Sequence, residues 1–145
     1  EKYGPKACVH THAGSTMGLN ASSGMNLVRG FDPRHIGVFA DPGHLSIVGE
    51  PLPMALSILG EYLSILAFKD LVRERVVREG KPGWQTKVVP LGTGFVDWTT
   101  LLRLLGEIGY DGPISFHSEY SGYPVDTVVD LARIDIRFIR GLMAA

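Results

Sequence analysis

The sequence predicts an α/β fold of four βα units, about half of an eight-unit (β/α)8 barrel. Three observations predict it. Short apolar runs alternate with helix-patterned segments four times along the chain, which implies parallel strands joined by right-handed crossovers. Each apolar run ends in His, Asp, Lys or Glu, as strands do when they deliver polar groups at their C-terminal mouth. The chain has 145 residues, enough for one domain over 1–145 but well short of the ~250 that a whole barrel takes.

Each element has a local reason. Residues 6–11 read as the first strand, ending Val9-His10-Thr11-His12, and 13–20 as a Gly- and Ser-rich loop. A helix is expected over 22–29, weakened by Gly24. Asp32-Pro33-Arg34-His35 is a turn into the second strand, 36–40, which runs into Asp41-Pro42-Gly43-His44, read as a turn. Residues 51–61 place Leu52, Ala55, Leu56 and Leu59 on one helical stripe, with proline tolerated at the start. The third strand, 63–68, ends in Lys69-Asp70; residues 71–87 are polar and read as a long irregular excursion. Asp97 is a candidate N-cap for a helix over 98–108 with Leu101, Leu102, Leu105 and Ile108 inward. The fourth strand, 114–117, leads to Phe116-His117-Ser118-Glu119, and a last helix spans 126–143.

Composition excludes several classes. A formal charge of −1 without a basic block argues against a nucleic-acid or anionic-membrane surface. The single cysteine, Cys8, rules out an internal disulfide and fits a reducing, cytoplasmic setting. No apolar run has transmembrane length. A parallel sheet of four strands leaves two open edges. Together with a first residue that is not Met, this leads us to expect a missing N-terminal half or a partner chain that closes the barrel.

Residues two apart on a strand share a face, so His10 and His12 point one way, as do His117 and Glu119. A His-x-His pair at a strand end is a metal-binding device or a hydrogen-bonded pair beneath a loop. Asp41 either caps the following turn or joins His44 at an ion or substrate. Lys69 either meets substrate or pairs with Asp70. Arg73 is a substrate contact or an exposed cation. Cys8 and Trp98 read as packing residues, His35 as structural, and Gly92-Thr93-Gly94 as a weak phosphate cradle because no strand leads into it in the required way.

Taken in order, Ile36-Gly37-Val38-Phe39-Ala40-Asp41-Pro42-Gly43-His44, Ala67-Phe68-Lys69-Asp70, Pro90-Leu91-Gly92-Thr93-Gly94-Phe95-Val96-Asp97-Trp98 and Gly109-Tyr110-Asp111-Gly112-Pro113-Ile114-Ser115-Phe116 resemble the last four βα units of the xylose isomerase-like TIM barrel superfamily, which includes sugar phosphate isomerases and epimerases. The resemblance implies one divalent ion held by Glu, Asp, His and Glu from strands five to eight. Asp41 matches the strand-six ligand and His44 the substrate-contacting histidine after it; Arg73 falls where some epimerases place a substrate-binding arginine. His10 stands in place of the first glutamate, Ala67 in place of the histidine, and His117 in place of the last glutamate, with Glu119 one face-repeat on.

The expected activity is metal-assisted proton transfer next to the carbonyl of a sugar or polyol. The expected metal ligands are His10, Asp41 and His117. Glu119, His44 and His12 are the expected acid/base groups, and His44, Arg73 and Lys69 the expected substrate contacts. Imidazoles in place of carboxylates shift the expected ion from Mg²⁺ toward Zn²⁺ or Fe²⁺, with Mn²⁺ retained from the family. Two other classes stand beside this one. One is a non-catalytic, metal-free carbohydrate-binding barrel, favoured by Ala67. The other is an endonuclease IV-like phosphodiesterase, disfavoured by the few His and Glu ligands and the near-neutral charge.

Overall fold

The computed structural model describes residues 4–144. Four parallel strands, β1 (Ala7–His10), β2 (Ile36–Ala40), β3 (Leu63–Phe68) and β6 (Ile114–Phe116), form one sheet in the order β1-β2-β3-β6. The helices α1 (Ala21–Val28), α2 (Pro42–Ile47), α3 (Leu52–Leu59), α4 (Trp98–Glu107) and α5 (Val125–Ala144) lie between and after them. The strand order follows the chain, as consecutive right-handed crossovers require. The fold is the α/β half barrel that the alternation predicts.

Side-chain alternation splits the sheet into two chemically distinct faces. Val38, Ala40, Leu66 and Phe68 are buried against Ala21, Val28, Ala55, Leu59, Leu101 and Ile139 of the helices. The intervening positions carry His10, Phe39, Ala67, Lys69 and His117. Apolar residues therefore anchor each strand to its helices while its other face and C-terminal end carry polar groups.

Two stretches differ from the sequence expectation. The excursion after β3 is ordered: β4 (Asp70–Arg78) and β5 (Lys81–Val89) pair antiparallel over their full lengths. The ribbon turns at Glu79 (φ 50°) and Gly80 (φ 74°), two successive positive-φ residues that suit a tight hairpin. The 41–44 turn is the first turn of α2, with Asp41 as N-cap and proline at the start of the helix. The helix read over 51–61 is α3 followed by one 3₁₀ turn, Gly60–Tyr62.

Candidate active site

Asp41 is the centre of the strand-end cluster. Its backbone N–H donates to the Thr11 hydroxyl (2.9 Å), which ties the end of β2 to β1. Its Oδ1 accepts the His44 backbone N–H (3.1 Å), the cap of α2. The capping role weighed in the sequence is therefore filled by Oδ1, and Oδ2 takes no part in it. Oδ2 lies 3.5 Å from His10 Nε2, 3.4 Å from Lys69 Nζ and 3.8 Å from His44 Nε2. Burial opposes ionisation of Asp41, but the His10 and His44 imidazoles and the Lys69 ammonium outweigh it and hold its pKa below the ordinary value.

Three imidazoles surround this carboxylate. His10 ends β1 opposite Phe39 in register and stacks on that ring (4.6 Å between centroids). The His117 ring meets the same phenyl ring edge-on at 5.3 Å, so Phe39 seats both imidazoles. Phe39 had no assigned role in the sequence; only its place between two site-facing strand positions signals it. Ligand atoms of His10, Asp41 and His117 all lie within 4.8 Å of one another. His10 Nε2, Asp41 Oδ2 and His117 Nδ1 are buried without a hydrogen-bond partner, as are both nitrogens of His44. Burial pushes the His44 pKa down to about 4 and, with the Lys69 charge, lowers that of His117, so both rings are neutral at pH 7 and present lone pairs.

Lys69 is 2% exposed at its side chain and donates to Glu119 Oε2 at 2.7 Å, joining β3 to the segment after β6. It does not pair with Asp70, the partner weighed in the sequence. Glu119 Oε1 stands 3.7 Å from His117 Nδ1. Burial works against the Glu119 carboxylate, but its Lys69 bond and charge prevail and lower its pKa.

His12 lies beside this group. Its ring is 3.8 Å from that of His44, centroid to centroid, and its Nδ1 is 2.8 Å from the Ala13 carbonyl oxygen. Arg73 and Trp84, on the β4–β5 ribbon, line a cavity of about 370 Å³ together with His12 and His44. The Arg73 guanidinium sits 5.2 Å from the centre of the Trp84 ring. All eight candidate residues thus fall at one end of the sheet or in the cavity beside it.

Two buried carboxylates have structural roles. Asp70 accepts backbone N–H bonds from Leu71, Gly92, Gly94 and Val96 and the Trp98 indole N–H. Of the Gly92-Thr93-Gly94 donors weighed as a phosphate cradle, the Gly92 and Gly94 N–H groups are consumed by Asp70 and the Thr93 N–H by the Pro90 carbonyl oxygen. A Cβ at Gly94 would stand 2.1 Å from Asp70 Oδ1, so glycine is required there by close approach. Asp135 on α5 accepts from Leu91 N–H, Ser118 and Tyr120 hydroxyls, and so fixes the loop that carries Glu119. Nothing in the sequence marked Asp135, because its partners are brought together only by the fold. Cys8, read as a packing residue, is half-buried.

Four parallel strands in chain order, each followed by helix and carrying polar groups at its C-terminal end, have the architecture of half a (β/α)8 barrel. The sequence model of the xylose isomerase-like TIM barrel matches residues 1–142, and the chain belongs to that family. Among solved structures, it resembles a xylose isomerase domain protein from Planctomyces limnophilus (24% identity, TM-score 0.66, 97% of this chain and 46% of that one). An L-ribulose 3-epimerase superposes with a TM-score of 0.70 at 18% identity, over 96% of this chain and 47% of that one. The uncharacterized protein MJ1311 of Methanocaldococcus jannaschii is 24% identical over 103 residues, 71% of this chain and 32% of its own length. The chain thus spans less than half the length of each relative.

Proposed function

We propose that this chain carries the catalytic end of a sugar or polyol isomerase/epimerase that moves a proton next to a carbonyl. The observation that carries it is the grouping of His10 Nε2, Asp41 Oδ2 and His117 Nδ1, buried, without hydrogen-bond partners and within 4.8 Å of one another. Buried polar atoms without partners are costly, and three lone-pair donors facing one point are satisfied together by a cation. Two imidazoles and a carboxylate fit Zn²⁺ or Fe²⁺ better than Mg²⁺, with Mn²⁺ between them. A divalent ion held there supplies carbonyl polarisation.

The chain's own groups supply the rest. Glu119, kept ionised by Lys69, accepts the proton from the carbon beside the carbonyl, and the neutral His44 imidazole, with the His12 ring beside it, is placed to return or relay it. Lys69, His44 and Arg73 hold substrate oxygens, Lys69 from a site 3.4 Å from Asp41 and 2.7 Å from Glu119. The similarity in fold to an L-ribulose 3-epimerase supports the substrate class. Four further βα units, from the same polypeptide or a partner chain, close the barrel around the site.

The test is solvent exchange. In D₂O, the protein loaded with Zn²⁺ or Mn²⁺ should exchange the proton beside the carbonyl of a ketose, with chelation or Glu119→Gln lowering the rate at least about 100-fold. Ketose binding that chelation leaves untouched, with no exchange, would instead support a carbohydrate-binding barrel. The Lys69 ammonium beside Asp41 favours that second reading, since it already brings a positive charge to the carboxylate. The phosphodiesterase reading needs several metals, and among the described residues only one three-ligand group is found.

A further inference from the structure

The Glu119 side chain is 59% exposed and sits on a loop, where a glutamate has no fixed place of its own. Its two chain neighbours are fastened instead. The Ser118 hydroxyl donates to Asp135 Oδ2 at 3.0 Å, and the Tyr120 hydroxyl contacts Asp135 Oδ1 and Oδ2 at 2.9 and 2.8 Å. The Glu119 N–H donates to the His117 carbonyl oxygen (2.8 Å), which closes a tight turn over Ser118. Asp135, on α5, is 2% exposed and Tyr120 is 7% exposed. The other member of the Lys69–Glu119 pair is backed by the same carboxylate through one loop. Asp135 Oδ1 accepts the Leu91 N–H (3.0 Å), and the next N–H, that of Gly92, goes to Asp70, the residue after Lys69 (3.0 Å). Phe138, on the same helix as Asp135, covers Gly92 so closely that a Cβ there would stand 2.5 Å from its ring.

A buried carboxylate is costly to desolvate, and an apolar side chain would fill the same space without that cost. What the carboxylate adds is acceptor capacity. With no donor of its own, it takes a backbone N–H and two hydroxyls at once, and each bond is charge-assisted. Resting on the reading that Glu119 takes the substrate proton, we propose that Asp135 is a positioning residue: acting through Ser118 and Tyr120, it holds Glu119 against Lys69. Through Leu91 and the adjoining Gly92–Asp70 bond, it also fixes the strand end that presents Lys69. The Lys69–Glu119 pair at the front of the sheet end is thus set by a carboxylate behind it that touches neither member.

Two measurements on the purified protein test this, the first without substrate. Reductive methylation followed by mass spectrometry reports on the ion pair. In the wild type, Lys69 should label at least about tenfold more slowly than the exposed Lys6, Lys81 and Lys87. Asp135→Asn keeps the size but loses the charge and one acceptor atom, and should raise Lys69 labelling at least about fivefold with the three exposed lysines unchanged. Tyr120→Phe, which keeps the ring and removes one hydroxyl, should act in the same direction more weakly, and it decides the matter by the same readout if Asp135→Asn does not fold. The second measurement is solvent exchange from D-fructose in D₂O by the protein loaded with Zn²⁺ or Mn²⁺. Asp135→Asn should lower kcat by about 10–100-fold and leave KM within about threefold. Lys69 labelling that stays at the wild-type rate in the folded variants, or a loss of stability with kcat intact, would overturn the positioning role. Absence of exchange by the wild type, with Lys69 labelling that responds to Asp135→Asn, would overturn the reading of Glu119 as proton acceptor and leave Asp135 as the group that holds the pair.

Discussion

At the level of single residues, the site depends on how Asp41 divides its two oxygens. Strand-end spacing made His10, Asp41, His44 and His117 legible, because side-chain direction on a parallel strand follows from position alone. The Lys69–Glu119 link was not legible: its partners are 50 residues apart and meet only because β3 and β6 are neighbours. The buried, neutral His44 has a stability consequence. Its pKa is about 4 in the folded protein against an ordinary 6.5, so the unfolded chain binds the proton more readily. The contribution of neutral His44 is therefore complete above pH 6.5 and is lost as pH falls from there toward 4. Urea unfolding should show the advantage of the wild type over His44→Asn shrinking by about 2 kcal/mol between pH 7 and pH 4; an unchanged difference would mean that the ring is not held neutral.

At the level of elements, the βα alternation was readable, but the β4–β5 ribbon was not. A two-stranded ribbon with both faces largely exposed has no buried stripe, so its sequence lacks the apolar period that announces a strand. Its turn is also disguised, since Glu79 occupies a positive-φ position where Asn or Asp before glycine would signal a hairpin. Glu79→Asn should therefore stabilise the ribbon by about 0.5–1 kcal/mol, visible as slower amide exchange across β4 and β5. The short α2 was readable in retrospect from Asp41 as cap and Pro42 after it. The loop before α4 hangs on Asp70, which gathers five N–H donors without a cation. Gly94→Ala would push a methyl into that carboxylate and should lower stability by about 2–4 kcal/mol in thermal or urea unfolding. A small effect would show that the loop yields.

At the level of the whole molecule, the sequence carried the architecture because apolar content and alternation are distributed over every unit, whereas the site depends on a few polar positions. The sheet has β1 and β6 as its edges, and neither is paired on its outer side among the described residues. Among these residues, no helix is long and apolar enough to cross a membrane. If four more strands complete the barrel from a second copy, the 145-residue chain should sediment as a dimer at micromolar concentration, and Lys substitutions on the open edge of β6 should return it to monomer. A monomer with full protection of the β1 and β6 amides would contradict closure by a second copy.

The central claim is that three strand ends bring His10, Asp41 and His117 to one cation. Calorimetric titration with Zn²⁺ tests it most directly. One ion should bind per chain, and Asp41→Asn should weaken binding by more than the about 10–100-fold that loss of a supporting bond around a metal costs. Absence of zinc binding, or zinc binding that Asp41→Asn leaves unchanged, would contradict it.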